Sequence, residues 1–196
     1  MSENESRIPA NLKQLTPETM YKEEKPTEYY IFSCYCLVDN IKLIQKLSIN
    51  RTAGLITFSH VADVDIPLTQ TDTCAFVDSV GELVYTKGGT SILVALNLAV
   101  DEIKENAIHN TTLVFLITDG ISTTDPTPAA DTLKANGDIV FTIGIADYQR
   151  DQLEPLATVS SDGTPNFFGV SSFEVFLTIA QYLNTTYIDQ SQINCN

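Results

Sequence analysis

Basic residues are scarce in this chain of 196 residues, which carries 11 Lys and Arg against 25 Asp and Glu and a formal net charge of −14. Proteins bind nucleic acid by neutralising its phosphates with Lys and Arg, and an anionic membrane surface repels a chain of this sign. The composition therefore argues against both kinds of partner. Because 43% of the residues are hydrophobic and 18% are charged, we expect one globular domain with a buried core.

Long apolar segments are also missing. The longest mostly apolar run, 29–38, has ten residues, whereas a membrane-spanning helix needs about 20. The first residues, MSENESRIPANLKQ, lack the apolar core of a secretion signal. Taken literally, these two absences predict a soluble cytoplasmic protein that does not insert into a membrane.

Two other features predict an extracellular protein whose secretion signal lies upstream of this sequence. Four cysteines allow three disulfide pairings, and buried free thiols are the alternative. The cysteines are Cys34, Cys36, Cys74 and Cys195. Acceptor triplets for N-glycosylation begin at Asn4, Asn50, Asn110 and Asn184. If the chain is secreted, we expect glycans at Asn50, Asn110 and Asn184.

The order of apolar patterns predicts an α/β fold. Residues 1–28 are predicted to be a disordered arm, 29–186 the domain and 187–196 a C-terminal tail. Within the domain, apolar runs without a helical period alternate with amphipathic segments. The predicted strands are 29–38, 53–59, 61–68, 111–118, 139–145 and 166–170, and the predicted helices are 41–47, 73–83, 92–106, 128–135, 152–158 and 173–184. This alternation predicts a doubly wound, mainly parallel sheet.

One pair of strands departs from the parallel pattern. Only Ser59 and His60 separate the second run from the third, which predicts an antiparallel hairpin. The third run alternates apolar and acidic side chains, as expected of a strand at the edge of the sheet.

Candidate ligands follow the predicted strands, because sites in such sheets lie at the carboxyl ends of strands. Asp119 comes directly after a buried run and could bind a cation such as Mg²⁺. An Asp-Gly turn formed with Gly120 is the alternative. Asp39 follows the first run and is a second candidate ligand, with a helix cap as its alternative.

A third candidate is the segment Gly88-Gly89-Thr90-Ser91, which precedes the predicted helix 92–106. Two glycines and a helix N-terminus could hold a phosphate group. However, the Gly-Lys-Ser/Thr ending of a phosphate loop is missing, and no strand leads directly into Gly88. A loop in which Thr90 or Ser91 caps the helix is the alternative.

Catalytic motifs are missing. The sequence contains no Gly-x-Ser-x-Gly, neither His60 nor His109 has a nucleophile beside it, and Cys34-x-Cys36 is not a zinc-ligand spacing. We therefore expect no enzyme. The alternative from another class is a nucleotide- or phosphate-binding α/β enzyme that uses the loop 86–91.

Taken together, these segments resemble the von Willebrand factor type A family. The resemblance rests on AGLITFS at 53–59, on the Gly88–Ser91 loop with its helix, on LVFLITDG at 113–120, on the following IVFTIGI and on the final helix. It covers about 53–184 and implies a Rossmann-like domain for adhesion or protein binding. In this family a partner's acidic residue often completes a divalent-cation site. Thr90 matches the family's threonine ligand, and Asp119 matches its aspartate. The resemblance therefore implies that their neighbours Gly89, Ser91 and Gly120 take part in binding the ligand.

One part of the family's cation site is absent. The family has Asp-x-Ser-x-Ser after the first strand, whereas Ile41 and Leu43 stand at the corresponding offsets from Asp39. With only Thr90 and Asp119 as ligands, Mg²⁺ would keep mostly water ligands and bind weakly. We therefore assign no cofactor with certainty, since Mg²⁺ would bind only weakly. We expect the ligand to be a protein, whose identity the sequence does not reveal.

The segment that joins the first two predicted strands is short. Its 14 residues, 39–52, barely suffice for a parallel crossover. The run 29–38 is therefore either the first strand or a substitute for a missing one. A truncated isoform without independent function is a further alternative.

Overall fold

The computed structural model describes residues 28–34, 52–83, 88–108, 111–172 and 174–176. These residues form a sheet with the strand order β3-β2-β1-β4-β5-β6. The strands are β1 (Glu28–Cys34), β2 (Thr52–Phe58), β3 (Ala62–Gln70), β4 (Thr112–Thr118), β5 (Ile139–Ile145) and β6 (Phe167–Val170). The helices are α1 (Thr73–Gly81), α2 (Ile92–Asn106), α3 (Thr127–Ala135) and α4 (Arg150–Leu153), the last continued by a 3₁₀ turn (Glu154–Leu156).

The pairing of the strands confirms the predicted fold class. Strand β1 runs parallel to β2 and to β4, and β4, β5 and β6 run parallel to one another. Only β3, at the edge of the sheet, is antiparallel to its neighbour β2. The chain is therefore a doubly wound α/β domain with one antiparallel edge strand.

Strand β1 lies in the centre of the sheet. Tyr30 pairs with Gly54 of β2 on one side and with Val114 of β4 on the other. A location of 29–38 outside the centre would have supported the alternative of a substituted first strand, and the described part of this run gives no such support. Residues 35–38 and the predicted helix 41–47 lie outside the described residues.

Three strands are buried along almost their whole length. Every residue of β2 is buried, and β4 and β5 each have a single partly exposed residue, Phe115 and Ile139. Successive side chains of a strand point to opposite faces. Burial of all of them therefore means that the sheet is covered on both faces, as the unbroken apolar runs predict.

Most helix ends follow from local signals. At the start of α1, the carboxylate of Asp72 accepts hydrogen bonds from the N–H groups of Cys74 and Ala75 at 2.8 and 2.9 Å. Helix α3 ends at Ala135, and Gly137, two residues further on, has a φ of 91° that suits glycine. The predicted helix 152–158 is wrong at its end: Pro155 has no N–H to continue the α-helical ladder, so the helix gives way to the 3₁₀ turn.

The final predicted helix, 173–184, is described only at 174–176. Just before this part, Ser172 Oγ accepts a hydrogen bond from the N–H of Val175 at 3.3 Å, as a helix cap does. Phe176 is buried.

A tyrosine lies across two paired glycines at the β5–β6 edge. Gly144 and Gly169 are register partners, and a Cβ atom on either would overlap the side chain of Tyr148. The Tyr148 ring also contacts Phe167, with ring centroids 5.8 Å apart. The two glycines thus let the loop after β5 fold back onto the sheet.

We expect Gly144→Ala to destabilise the domain by about 1–3 kcal/mol, because the new methyl group must displace the Tyr148 ring. The backbone of Gly144 is not in the left-handed region, so the cost should come from this contact alone. Urea denaturation followed by circular dichroism measures the free energy of unfolding.

Two controls separate this contact from a general effect of replacing glycine. A Cβ atom at Gly81 would meet nothing within 4 Å, so Gly81→Ala should change stability little. In a double-mutant cycle, Tyr148→Ala should remove most of the cost of Gly144→Ala. An equal cost with Tyr148 and with alanine at that position would disprove the explanation.

Candidate functional site

The strand order reverses beside β1. The chain places β2 and β3 on one side of β1 and then β4, β5 and β6 on the other. In open α/β sheets, a reversal of this kind leaves a crevice outside the carboxyl ends of the two strands concerned. Asp119 directly follows β4 at this point, so the structure places it where the sequence predicts a ligand.

A buried hydroxyl shapes the chain around Asp119. Thr118 is fully buried, and its Oγ1 accepts a hydrogen bond from the N–H of Gly120 at 3.1 Å. This bond turns the chain at the end of β4 and leaves Asp119 half-buried. Asp119-Gly120 can therefore form a turn while Asp119 lies at the crevice.

Thr90 packs directly against Gly120. A Cβ atom at Gly120 would overlap Oγ1 of Thr90 and crowd its Cβ and Cγ2. The absence of a side chain at Gly120 is what allows this approach. The structure therefore brings together the threonine loop and the strand end that the sequence singles out.

The loop that carries Thr90 is anchored on the β2–β3 turn. The N–H of Gly89 donates to Nε2 of His60 at 3.0 Å, and the N–H of Ser91 donates to the carbonyl oxygen of Ser59 at 2.7 Å. A Cβ atom at Gly89 would overlap the His60 ring. Sequence reasoning missed His60 as part of this edge. The available signal was its place in a hairpin turn after a parallel strand, which puts it beside the other carboxyl ends.

These bonds count against the phosphate-binding alternative. A phosphate held at a helix N-terminus needs backbone N–H groups that point at it. The N–H groups of Gly89 and Ser91 are already donated to the β2–β3 turn. Ser91 is the residue that precedes α2, although its side chain accepts no capping hydrogen bond. The loop is thus an anchored support for Thr90.

Exposed apolar side chains surround this edge. Val61 lies in the β2–β3 turn, Val94 in the first turn of α2, and Ile121 directly after Gly120. Their exposed fractions are 61%, 40% and 45%. Such residues occur singly on most surfaces, but their location at one edge of the sheet is typical of a surface that binds a partner.

Two residues that match the family's cation ligands lie among the described residues. Thr90 and Asp119 are the family-matched donors among them, and within the described ranges no group of three or more His, Cys, Asp or Glu could hold a metal ion. Residues 35–39, which follow β1 in the sequence, are Tyr-Cys-Leu-Val-Asp and include neither serine nor threonine. The candidate ligand Asp39 lies outside the described residues.

Only some of the residues that predict an extracellular protein lie among the described residues. Cys74, in the first turn of α1, is disulfide-bonded, so the alternative of a free thiol is wrong for this residue. Cys195, His109 and the sequons at Asn50, Asn110 and Asn184 lie outside the described residues. In the ranges that the structure describes, no helix is long and apolar enough to cross a membrane.

Comparisons with known proteins agree with the fold. The family model for the von Willebrand factor type A domain matches residues 37–182, beginning after β1. The Sushi, von Willebrand factor type A, EGF and pentraxin domain-containing protein 1 of Rattus norvegicus is 30% identical over 152 residues. That match covers 71% of this chain and 4% of the rat protein, so the chain spans a small part of its relative.

Solved structures with the same fold include a matrix protein and a pilus adhesin. Proximal thread matrix protein 1 from the mussel byssus superposes with a TM-score of 0.69 at 20% identity, covering 81% of this chain and 47% of that one. The pilus adhesin SpaC from Lactobacillus rhamnosus GG gives 0.61 at 13% identity, covering 87% and 31%. At these identities the likeness shows the fold alone.

We expect His60→Ala to loosen the anchored loop, because Gly89 loses the acceptor of its N–H. A hydrogen bond contributes about 0.5–1.5 kcal/mol net, so amide exchange at Gly89 should accelerate by about two- to tenfold. Hydrogen exchange resolved by NMR measures this rate. Val61→Ala, in the same turn, is the matched control and should leave Gly89 unchanged. Unaltered exchange at Gly89 in His60→Ala would contradict the anchoring role.

Proposed function

The chain belongs to the von Willebrand factor type A family, and from this premise we propose that it is a non-catalytic domain that binds a protein partner at the carboxyl edge of its sheet. The observation that carries the proposal is the contact of Thr90 with Gly120 at the strand reversal. The exposed apolar side chains Val61, Val94 and Ile121 around it support the same surface.

The geometry favours binding over catalysis. A side-chain nucleophile is activated by a base within hydrogen-bond reach, but Nε2 of His60 already accepts the N–H of Gly89. A nucleotide phosphate at this loop would find the N–H groups of Gly89 and Ser91 already held by the β2–β3 turn. The acidic composition, −14 in all, disfavours nucleic acid as the partner.

We also propose that metal binding at this edge is lost or weak. Where the family's divalent cation binds, it supplies a charge to which a partner's acidic residue coordinates. Here Thr90 and Asp119 would provide one hydroxyl and one carboxylate. Mg²⁺ dehydrates reluctantly, and with so few protein ligands most of its water molecules would remain.

Calorimetric titration tests this proposal. We expect Mg²⁺ or Mn²⁺ to give no more than weak, millimolar-range binding, because an incomplete ligand set replaces few water molecules. Asp101→Ala removes an exposed carboxylate of α2 and serves as the control for general charge effects. Sub-micromolar binding that disappears in Asp119→Ala but persists in Asp101→Ala would refute the claim of an impaired site.

We propose an extracellular location for the domain. The disulfide at Cys74 supports it, since disulfides persist mainly in oxidising compartments. In such a compartment Asn50, Asn110 and Asn184 would be glycan acceptors. The same proposal divides the chain into the arm predicted at 1–28, the domain predicted at 29–186 and a tail at 187–196, with the arm giving way to the domain at Glu28, where β1 begins.

The disulfide should be a structural one. We expect reduction to lower the free energy of unfolding by about 2–5 kcal/mol, because the cross-link restricts the unfolded chain. Thermal unfolding with and without a phosphine reductant measures the effect, and non-reducing peptide mapping identifies the partner of Cys74. An unchanged melting temperature in reductant, with the bond shown to be broken, would remove this support for an extracellular domain.

A further inference from the structure

A second concave surface lies at the same edge of the sheet, between the loop after β4 and the segment that contains α4. It is a cleft of about 350 Å³, a size at the lower end of ligand-binding pockets. Residues of both segments line it: Ser122, Thr123, Thr124, Asp125, Pro126 and Thr127 on one side, and Gln149, Asp151, Gln152 and Pro155 on the other.

A side-chain amide holds the two walls together. Oε1 of Gln152 accepts the N–H of Ser122 and Nε2 of Gln152 donates to the carbonyl oxygen of Ser122, both at 2.8 Å. Ser122 is itself buried, and its Oγ donates to the carbonyl oxygen of Thr124 at 3.0 Å. The cleft is therefore a preformed feature whose walls are fixed by hydrogen bonds.

The charge of the cleft is negative on both walls. Asp125 and Asp151 are exposed carboxylates, and no Lys, Arg or His is among the lining residues. Hydrogen bonds from Thr127 lower the pKa of Asp125 below its usual value, so this carboxylate is ionised at neutral pH. A positively charged group is the complement of such a surface.

The neighbouring arginine does not neutralise the cleft. Arg150 pairs with Glu154 through two hydrogen bonds of 2.8 and 3.0 Å. Its guanidinium also lies over the Phe167 ring, 5.3 Å from the centroid. Arg150 is thus paired with Glu154 and Phe167 and is not among the residues that line the cleft, so a cation that meets the two lining carboxylates would come from outside the chain.

We propose that this cleft receives a basic side chain of the partner protein, arginine above all; the inference rests on the proposed role as a protein-binding domain. Asp125 and Asp151 would face the guanidinium from opposite walls, and the exposed ring of Pro155 offers apolar surface for its methylene stem. A metal ion is a poorer match, because the described residues hold no group of three ligating side chains. The cleft adjoins the Thr90–Gly120 edge through Ile121 and Ser122, so one partner could cover both.

Titration of the ¹⁵N-labelled chain with a blocked tripeptide, acetyl-Gly-Arg-Gly-amide, tests the cleft. We expect NMR shift changes concentrated at 122–127 and 149–152. The peptide with citrulline in place of arginine has the same shape without the charge and should bind at least about tenfold more weakly, since hydrogen bonds to charged groups are the stronger ones. Equal binding of both peptides, or shifts that miss the cleft, would overturn the proposal.

Charge-matched variants exclude attraction to the acidic chain as a whole. Asp125→Asn with Asp151→Asn should weaken arginine-peptide binding about tenfold or more. Asn at position 125 can still accept the N–H of Thr127, a bond of 3.0 Å, so the loop should keep its conformation. Asp78→Asn with Asp101→Asn removes the same charge from exposed helix positions and should have little effect. An equal loss in both double variants would mean non-specific attraction and would overturn the inference.

Failure of this inference can be told apart from failure of the proposed function. The peptide titration uses no metal, and its readout lies on residues other than Thr90 and Asp119. If the cleft does not bind arginine, the proposed binding role of the Thr90–Gly120 edge is unaffected. Tight Mg²⁺ binding at Asp119 would refute the impaired cation site and leave the peptide result unaffected.

Discussion

The parallel pairing of β1 with both β2 and β4 is the constraint on which the rest of the structure depends. Parallel neighbours require crossover connections, and a strand order that reverses at β1 brings the ends of β1, β2 and β4 to a single edge. The turn after β2, the loop before α2 and the turn after β4 meet there for this reason. Segments that are far apart in the sequence thus become neighbours without any long-range signal in the sequence itself.

Side chains that pack against glycine residues hold the loops at this edge in place. Thr90 lies against Gly120, His60 against Gly89, and Tyr148 against Gly144 and Gly169. In each case a side chain fills the space that a Cβ atom would occupy, so the loop is held by close packing and by one or two hydrogen bonds. Such loops keep a defined shape while leaving apolar side chains such as Ile121 exposed to a partner. A preformed surface of this kind loses less conformational entropy on binding than a mobile one.

The parts of the fold that the sequence predicts are those with strong local signals. Helix α2 and strand β5 match their predicted bounds because each has an unbroken period and a clear end. Asp119 and Thr90 could be singled out because each stands next to such an element. The His60 anchor and the cleft beside Gln152 could not, since each depends on contacts between segments about 30 residues apart. The partner of Cys74 is undetermined from sequence for the same reason, because pairing is set by distance in the folded chain.

Charge would link the proposed loss of the cation site to the acidic cleft. In the arrangement that the family resemblance implies, a divalent cation offsets the acidic edge and attracts an acidic residue of the partner. Without that cation, Asp119 and the carboxylates Asp125 and Asp151 make the edge unfavourable for another carboxylate, since like charges brought together across an interface are repelled. The same edge then favours arginine or lysine. Loss of two serine ligands after the first strand would therefore do more than weaken a metal site, because it would reverse the sign of charge that this domain selects in its partner.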